Sequence, residues 1–128
     1  MKFSNGIRAI PARCFSFCEE LKEMIIPSTV NSLGEDCFYG CSSLKRVEIN
    51  GEVREIPSRC FMLCGELREI ILPASLEKIE EFAFELCTNL TDIYYKGTME
   101  QWREVQYTSI GFQVPATVVH CKDGDAPL

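Results

Sequence analysis

Residues 32–49 read SLGEDCFYGCSSLKRVEI, and the pattern of this stretch recurs four times along the chain without insertion or deletion. Phe15, Phe38, Phe61 and Phe84 stand 23 residues apart; so do Cys18, Cys41, Cys64 and Cys87, and so do Leu21, Leu44, Leu67 and Leu90. Every apolar column keeps this step: Ile7, Val30, Val53, Leu76, then Ile10, Leu33, Ile56, Ile79. Met24, Val47, Ile70 and Ile93 follow, with Ile26, Ile49, Leu72 and Tyr95 after them. A sustained period of about 20–50 residues marks a stacked architecture, because one such unit cannot bury its own apolar face.

One unit reads as follows. In LKEMIIP, residues 21–27, Met24 and Ile26 alternate with polar or outward positions, as in a strand with one buried face, and Pro27 stops it. In VNSLGEDCFYGC, residues 30–41, the apolar residues Val30, Leu33, Cys37, Phe38 and Cys41 recur every three or four positions. That spacing predicts a short helical or 3₁₀ turn. The repeats then run over about 7–29, 30–52, 53–75 and 76–98. Met99, Trp102, Tyr107 and Ile110 continue the columns of Val30, Leu33, Phe38 and Cys41. Residues 99–128 therefore read as a degenerate capping coil, with VPATVVHC as its closing edge strand. Proline turns at Pro27 and Pro73 alternate with glycine turns at Gly51 and Gly97. At the other end Phe3 aligns with Ile26, so the chain opens inside a coil; the expectation is a fragment of a longer protein, or an end covered by a partner or by self-association.

These residues resemble the leucine-rich repeat superfamily, and more narrowly the 23-residue BspA-like repeats of bacterial surface proteins. SLGEDCFYGCSSLKRVEI and its sister copies carry the likeness, with IYYKGTMEQWREV and VVHCKDG at the end. The resemblance implies one domain over residues 1–128. Its fold class is α/β, a right-handed leucine-rich-repeat solenoid of short parallel strands and short helical or 3₁₀ turns, with about five coils including the cap. It further implies a non-catalytic, adhesion-type module at the cell surface or secreted, binding a protein ligand. The opening MKFSNGIRAIPAR, however, lacks the apolar core of about 7–15 residues that a signal peptide needs; the expectation is either the cytoplasm or a leader or upstream region missing from this sequence. One departure stands out: the asparagine expected three residues past the strand is Thr29, Glu52, Ser75 and Thr98. No asparagine ladder can form, and cysteine occupies the coil interior instead.

The eight cysteines invite a chemical reading, since CFSFC, CFYGC and CFMLC space two thiols as a metal site or redox pair would. The fourth copy, AFELC, answers it: Ala83 replaces the first cysteine, which a tight apolar slot accepts and a ligand position does not. Residues four apart on a helical turn are about 5–6 Å apart at Cβ, against about 3.5–4.5 Å in a disulfide. Equivalent residues on adjacent coils stand about 4.7–4.9 Å apart or more. Cys14, Cys18, Cys37 and Cys41 could offer four thiolates to a metal, but a packed column has no space at its centre. The expectation is packing: seven buried, unpaired thiols, no cofactor and no metal; Cys121, outside the columns, is the candidate reactive thiol, with a plain edge-strand residue as the preferred reading.

The net charge of −6 and pI near 4.8 disfavour a nucleic-acid partner, which would want a basic stripe. No apolar run reaches the about 18 residues of a membrane-spanning helix. His120 is the only histidine, and no nucleophile-elbow, phosphate-loop or metalloprotease motif occurs; no catalytic residue is assigned. Positions alternating with the buried strand residues face outward and form two columns: Glu23, Arg46, Glu69, Asp92, and beside it Ile25, Glu48, Ile71, Tyr94. A basic row of Lys22, Lys45 and Arg68 flanks them. Exposed Ile25, Ile71 and Tyr94 among charges have the composition of an interface. The alternative is a structural spacer in a longer solenoid, with a thiol or metal protein behind it.

Overall fold

The computed structural model describes residue 3 and residues 6–128; part of the start of the expected uncapped first coil, and the first residues of the segment read for a signal peptide, lie outside the described residues. Each coil leucine is followed by a four-residue strand: β2 (Glu23–Ile26), β4 (Arg46–Ile49), β6 (Glu69–Leu72) and β8 (Asp92–Tyr95). Burial alternates along all four. Met24 and Ile26, and their equivalents in the other three strands, are buried, while the residues between them face out. This is the period-2 signature of a sheet with one face on the core. A second, shorter set follows each turn: β1 (Ala9–Ile10), β3 (Ser32–Leu33), β5 (Glu55–Ile56) and β7 (Lys78–Ile79).

The long strands pair in parallel at a register of one repeat, Glu23 on Arg46, Arg46 on Glu69 and Glu69 on Asp92. β1 pairs with β3 and β5 with β7, also in parallel. The result is a β-solenoid of about five turns with very little helix. Its principal sheet has six strands in the order β10-β9-β8-β6-β4-β2.

The turn expected to be helical or 3₁₀ is neither. Between β1 and β2 the bonds Cys14 N–H to Pro11 O, Ser16 N–H to Arg13 O and Cys18 N–H to Phe15 O close successive β-turns. The alternate amides of Arg13, Phe15 and Phe17 reach across to Glu35, Cys37 and Tyr39 of the next coil. This arrangement requires left-handed backbone at two positions per coil: Arg13 and Phe17, Asp36 and Gly40, Arg59 and Leu63, Phe82 and Leu86, all with φ between 57° and 68°. A type II turn has φ > 0 at its third residue, and these are those residues. Splitting the amides between local turns and the neighbouring coil satisfies every second group through stacking, which an isolated helical turn would not.

Stacking aligns the columns. Phe15, Phe38, Phe61 and Phe84 form a continuous ring stack with centroids 5.3–5.5 Å apart and planes within 6° of parallel. The second cysteine of each segment forms a ladder of its own. Cys41, Cys64 and Cys87 donate their thiols to the carbonyls of Phe15, Phe38 and Phe61 in the preceding coil, at 3.1, 3.2 and 3.0 Å. The first cysteine has a different part: Cys37 and Cys60 touch at 3.5 Å between sulfurs, closer than the spacing of about 4.7–4.9 Å between paired strands. All eight cysteines are free thiols. Five are buried rather than the expected seven; Cys14 is exposed and Cys18 half-buried, since no described coil covers the first one.

The cap begins with α1 (Met99–Trp102), capped by Thr98 and Gln101 in a reciprocal box. Trp102 packs edge-on against Tyr95 at 5.2 Å and is covered by Tyr107. β9 (Val118–Cys121) extends the parallel sheet from β8, but it does not close it. The chain turns at 122–123 and β10 (Gly124–Pro127) pairs antiparallel with β9, forming the edge. Periodicity could not show β10, whose GDAP belongs to no column.

Candidate functional site

The outward columns of β2, β4, β6 and β8 form one charged face. Arg46 lies near its middle and is held by three carboxylates: Nη1 to Glu23 at 3.1 Å, Nη2 to Glu48 at 3.1 Å and Nε to Glu69 at 3.5 Å. The register explains the arrangement, since Glu23 and Glu69 flank Arg46 on the adjacent strands and Glu48 is two residues along its own. Such pairs contribute little stability at a wet surface, but a guanidinium fixed on three sides is rigid. In the second column Ile25 and Tyr94 are exposed. Ile71 is only half-buried, not exposed as expected, because it is paired between Glu48 and Tyr94. Lys22, Lys45 and Arg68 are exposed beside the face.

Four further residues complete this face. Lys96 donates to Asn50 Oδ1 at 3.0 Å and lies 4.0 Å from Glu48. His120, in register with Tyr94 and with Asp125, stacks 5.0 Å from the tyrosine ring. Its Nδ1 is 2.9 Å from Asp125 and its Nε2 is 3.2 Å from Asp92. Carboxylates only accept, so both contacts are made at once only by the protonated ring. The Asp125 hydrogen bond first, and the Asp92 bond with it, hold the His120 pKa above the ordinary imidazole value against a partial desolvation. With both nitrogens engaged, the imidazole has none free for a nucleophile. The ring remains partly open to solvent while it is held by both carboxylates. The β8–β9 step is 26 residues rather than 23, so His120 belongs to no sequence column and its neighbours could not be read.

The cysteines lie apart from this face. Burial pushes the Cys60 thiol well up and the Cys87 thiol to about 12. Cys121 is also raised, by burial and then by Asp123 and Asp125, which runs against its expected reactivity.

The sequence matches a known family model: the BspA type leucine rich repeat region, in six copies over residues 1–110. The chain belongs to the BspA-type leucine-rich-repeat family. Six copies are counted where spacing alone distinguishes four full ones and a cap. Among solved structures, this BspA-type chain is similar to a leucine rich cell surface protein from Faecalibacterium prausnitzii A2-165. That match has 30% identity and a TM-score of 0.67, covering 85% of this chain and 35% of that one. A leucine-rich repeat protein from Eubacterium ventriosum shares the fold at 20% identity and TM-score 0.62, over 86% of this chain and 32% of that one. A third, from Bacteroides ovatus, shares it at 23% and 0.60, over 74% and 32%. The chain thus spans about a third of each of these leucine-rich proteins. No curated protein matches it. Among the described residues no helix is long and apolar enough to cross a membrane.

Proposed function

We propose that the chain is a non-catalytic protein-interaction module of a bacterial cell-surface or adhesion-type protein, and that it binds its partner through the strand face. The observation that carries this reading is the preformed surface itself. Arg46 is fixed by Glu23, Glu48 and Glu69, and beside it lie exposed Ile25 and Tyr94. Side chains already ordered on a stacked sheet lose little freedom on binding, and aromatic or aliphatic anchors within a polar surround are the usual source of affinity. The similarity to the Faecalibacterium cell surface protein supports the location.

The test is quantitative capture from bacterial and host surface fractions by immobilised wild-type chain and by an Ile71→Asp/Tyr94→Asp variant of unchanged circular dichroism. Loss of specific retained proteins in the variant supports the reading. An unaltered retained set sinks it and favours a structural spacer.

A further inference from the structure

A second surface lies on the turn segments, where the fourth coil meets the cap. A groove of about 330 Å³ is bounded by Phe82 and Phe112 and rimmed by Glu80, Glu81 and Glu85. None of these residues belongs to the long strands. Phe82 and Phe112 are 50% and 61% exposed, so two large rings face solvent within one concavity. Phe82 occupies the left-handed position that carries Arg13, Asp36 and Arg59 in the sister coils. An exposed ring replaces a charge only here.

Phe112 is built into place. Its N–H donates to Glu85 Oε1 at 2.8 Å, and its carbonyl accepts from Leu86 N–H at 3.1 Å. The preceding Gly111 has φ +144°, and a Cβ there would come 2.9 Å from the Phe84 carbonyl oxygen, so only glycine lets the connection lie this close. The rim is acidic. Lys78 neutralises Glu80 at 2.6 Å, Glu85 is engaged by the Phe112 amide, and Glu81 has no ion-pair partner among the described residues.

We infer that this groove docks a partner segment presenting an arginine beside an apolar side chain. A guanidinium is planar enough to lie on a phenylalanine face while its N–H groups reach a carboxylate. The volume suits one or two side chains. Three carboxylates against one lysine select a cationic ligand, and the net charge of −6 disfavours a second copy of this chain. The inference stands apart from the strand face.

The experiment uses the full chain and a rhodamine-labelled, end-capped peptide of sequence Gly-Arg-Leu-Arg-Gly, read by fluorescence anisotropy. The variants are Phe112→Ser, Glu81→Gln and Phe82→Asn, the last because asparagine tolerates left-handed backbone; each is checked for unchanged circular dichroism. Expected is salt-sensitive binding that weakens at least tenfold in Phe112→Ser and Phe82→Asn and severalfold in Glu81→Gln. The Ile71→Asp/Tyr94→Asp variant binds as wild type does. Several results would overturn the inference: no binding of the arginine peptide, equal binding of the Gly-Glu-Leu-Glu-Gly control, or indifference to the phenylalanine changes. A concentration-dependent dimer dissolved by Phe112→Ser would overturn it too, giving the groove to a second copy.

Discussion

Cys60 and Cys64 belong to the same CFMLC segment yet do different work. Cys60 fills a slot that alanine fills in the fourth coil at Ala83, which is also buried. Cys64 donates to the Phe38 carbonyl of the preceding coil. Cys60→Ala therefore removes one sulfur's packing and its weak contact with the Cys37 sulfur, about 1 kcal/mol, while Cys64→Ala also loses a buried hydrogen bond to a backbone carbonyl, roughly 1 kcal/mol more. Urea midpoints compare them, and equal costs would refute the thiol ladder. Accessibility gives a second expectation. Maleimide labelling of native protein reaches Cys14 first, then the half-buried Cys18 and Cys121, and spares the five buried thiols until unfolding. Cys60 and Cys87 also hold their protons, Cys60 well up and Cys87 up to a pKa of about 12, in both cases chiefly through burial, and the thiolate is the reacting form. Labelling of Cys60 or Cys87 at the rate of Cys14 would contradict the packing.

At the scale of the element, the strands were legible and the turns were not. Alternation of Met24 and Ile26 with outward residues, repeated at one spacing, fixes both face and register, since a one-residue slip would expose every core side chain. The turns mislead because two successive β-turns also place apolar residues three or four apart, as Cys37, Phe38 and Cys41 are. The signal separating them from a helix is left-handed backbone, which glycine usually announces. Here Arg13, Phe17, Asp36, Arg59, Leu63, Phe82 and Leu86 take it, and glycine only at Gly40. Inter-coil hydrogen bonds from those turns hold the cost, and no local pattern displays them. Of the candidate site, the two regular columns could be read. His120 and Asp125 could not, because they join the face through strand pairing outside the period; Lys96 stands two periods from Asn50, but the prolines that alternate with them leave no polar column to read. Gly40 supplies the test for the turns. A Cβ there would meet the Phe17 ring at 2.8 Å at φ +68°, so Gly40→Ala is expected to cost about 1–2 kcal/mol of left-handed strain. The urea midpoint measures it, and no change would mean that the sister side chains at this position are unstrained.

Across the whole molecule, stability passes from coil to coil through shared columns and ends at the cap, where His120 ties three strands together. Its ring bridges Asp92 on β8 and Asp125 on β10, with Tyr94 against it. Asp92, Asp125 and the imidazole are the charged groups in this clamp. Because its folded pKa is raised above the unfolded value, the clamp's contribution is fully present below the unfolded pKa. It is lost as pH rises through the higher folded one. The groups are substantially solvated, so screening limits the effect to about 0.5 kcal/mol. Trp102 reports on it: it is the single tryptophan and lies in the cap, where α1 is tied to the β9–β10 turn by the Met99 N–H to Asp123 bond at 2.8 Å. Urea unfolding followed by Trp102 fluorescence should show wild type more stable than His120→Gln at pH 5.5, with the gap closing by pH 8.5. Taking the difference cancels the titration of carboxylates elsewhere. A gap that stays constant or widens with pH would reverse the sign and show that neutral His120 is the form the cap prefers. If far-UV circular dichroism follows the same transition, cap and coils unfold as one unit, as a continuous six-stranded sheet requires.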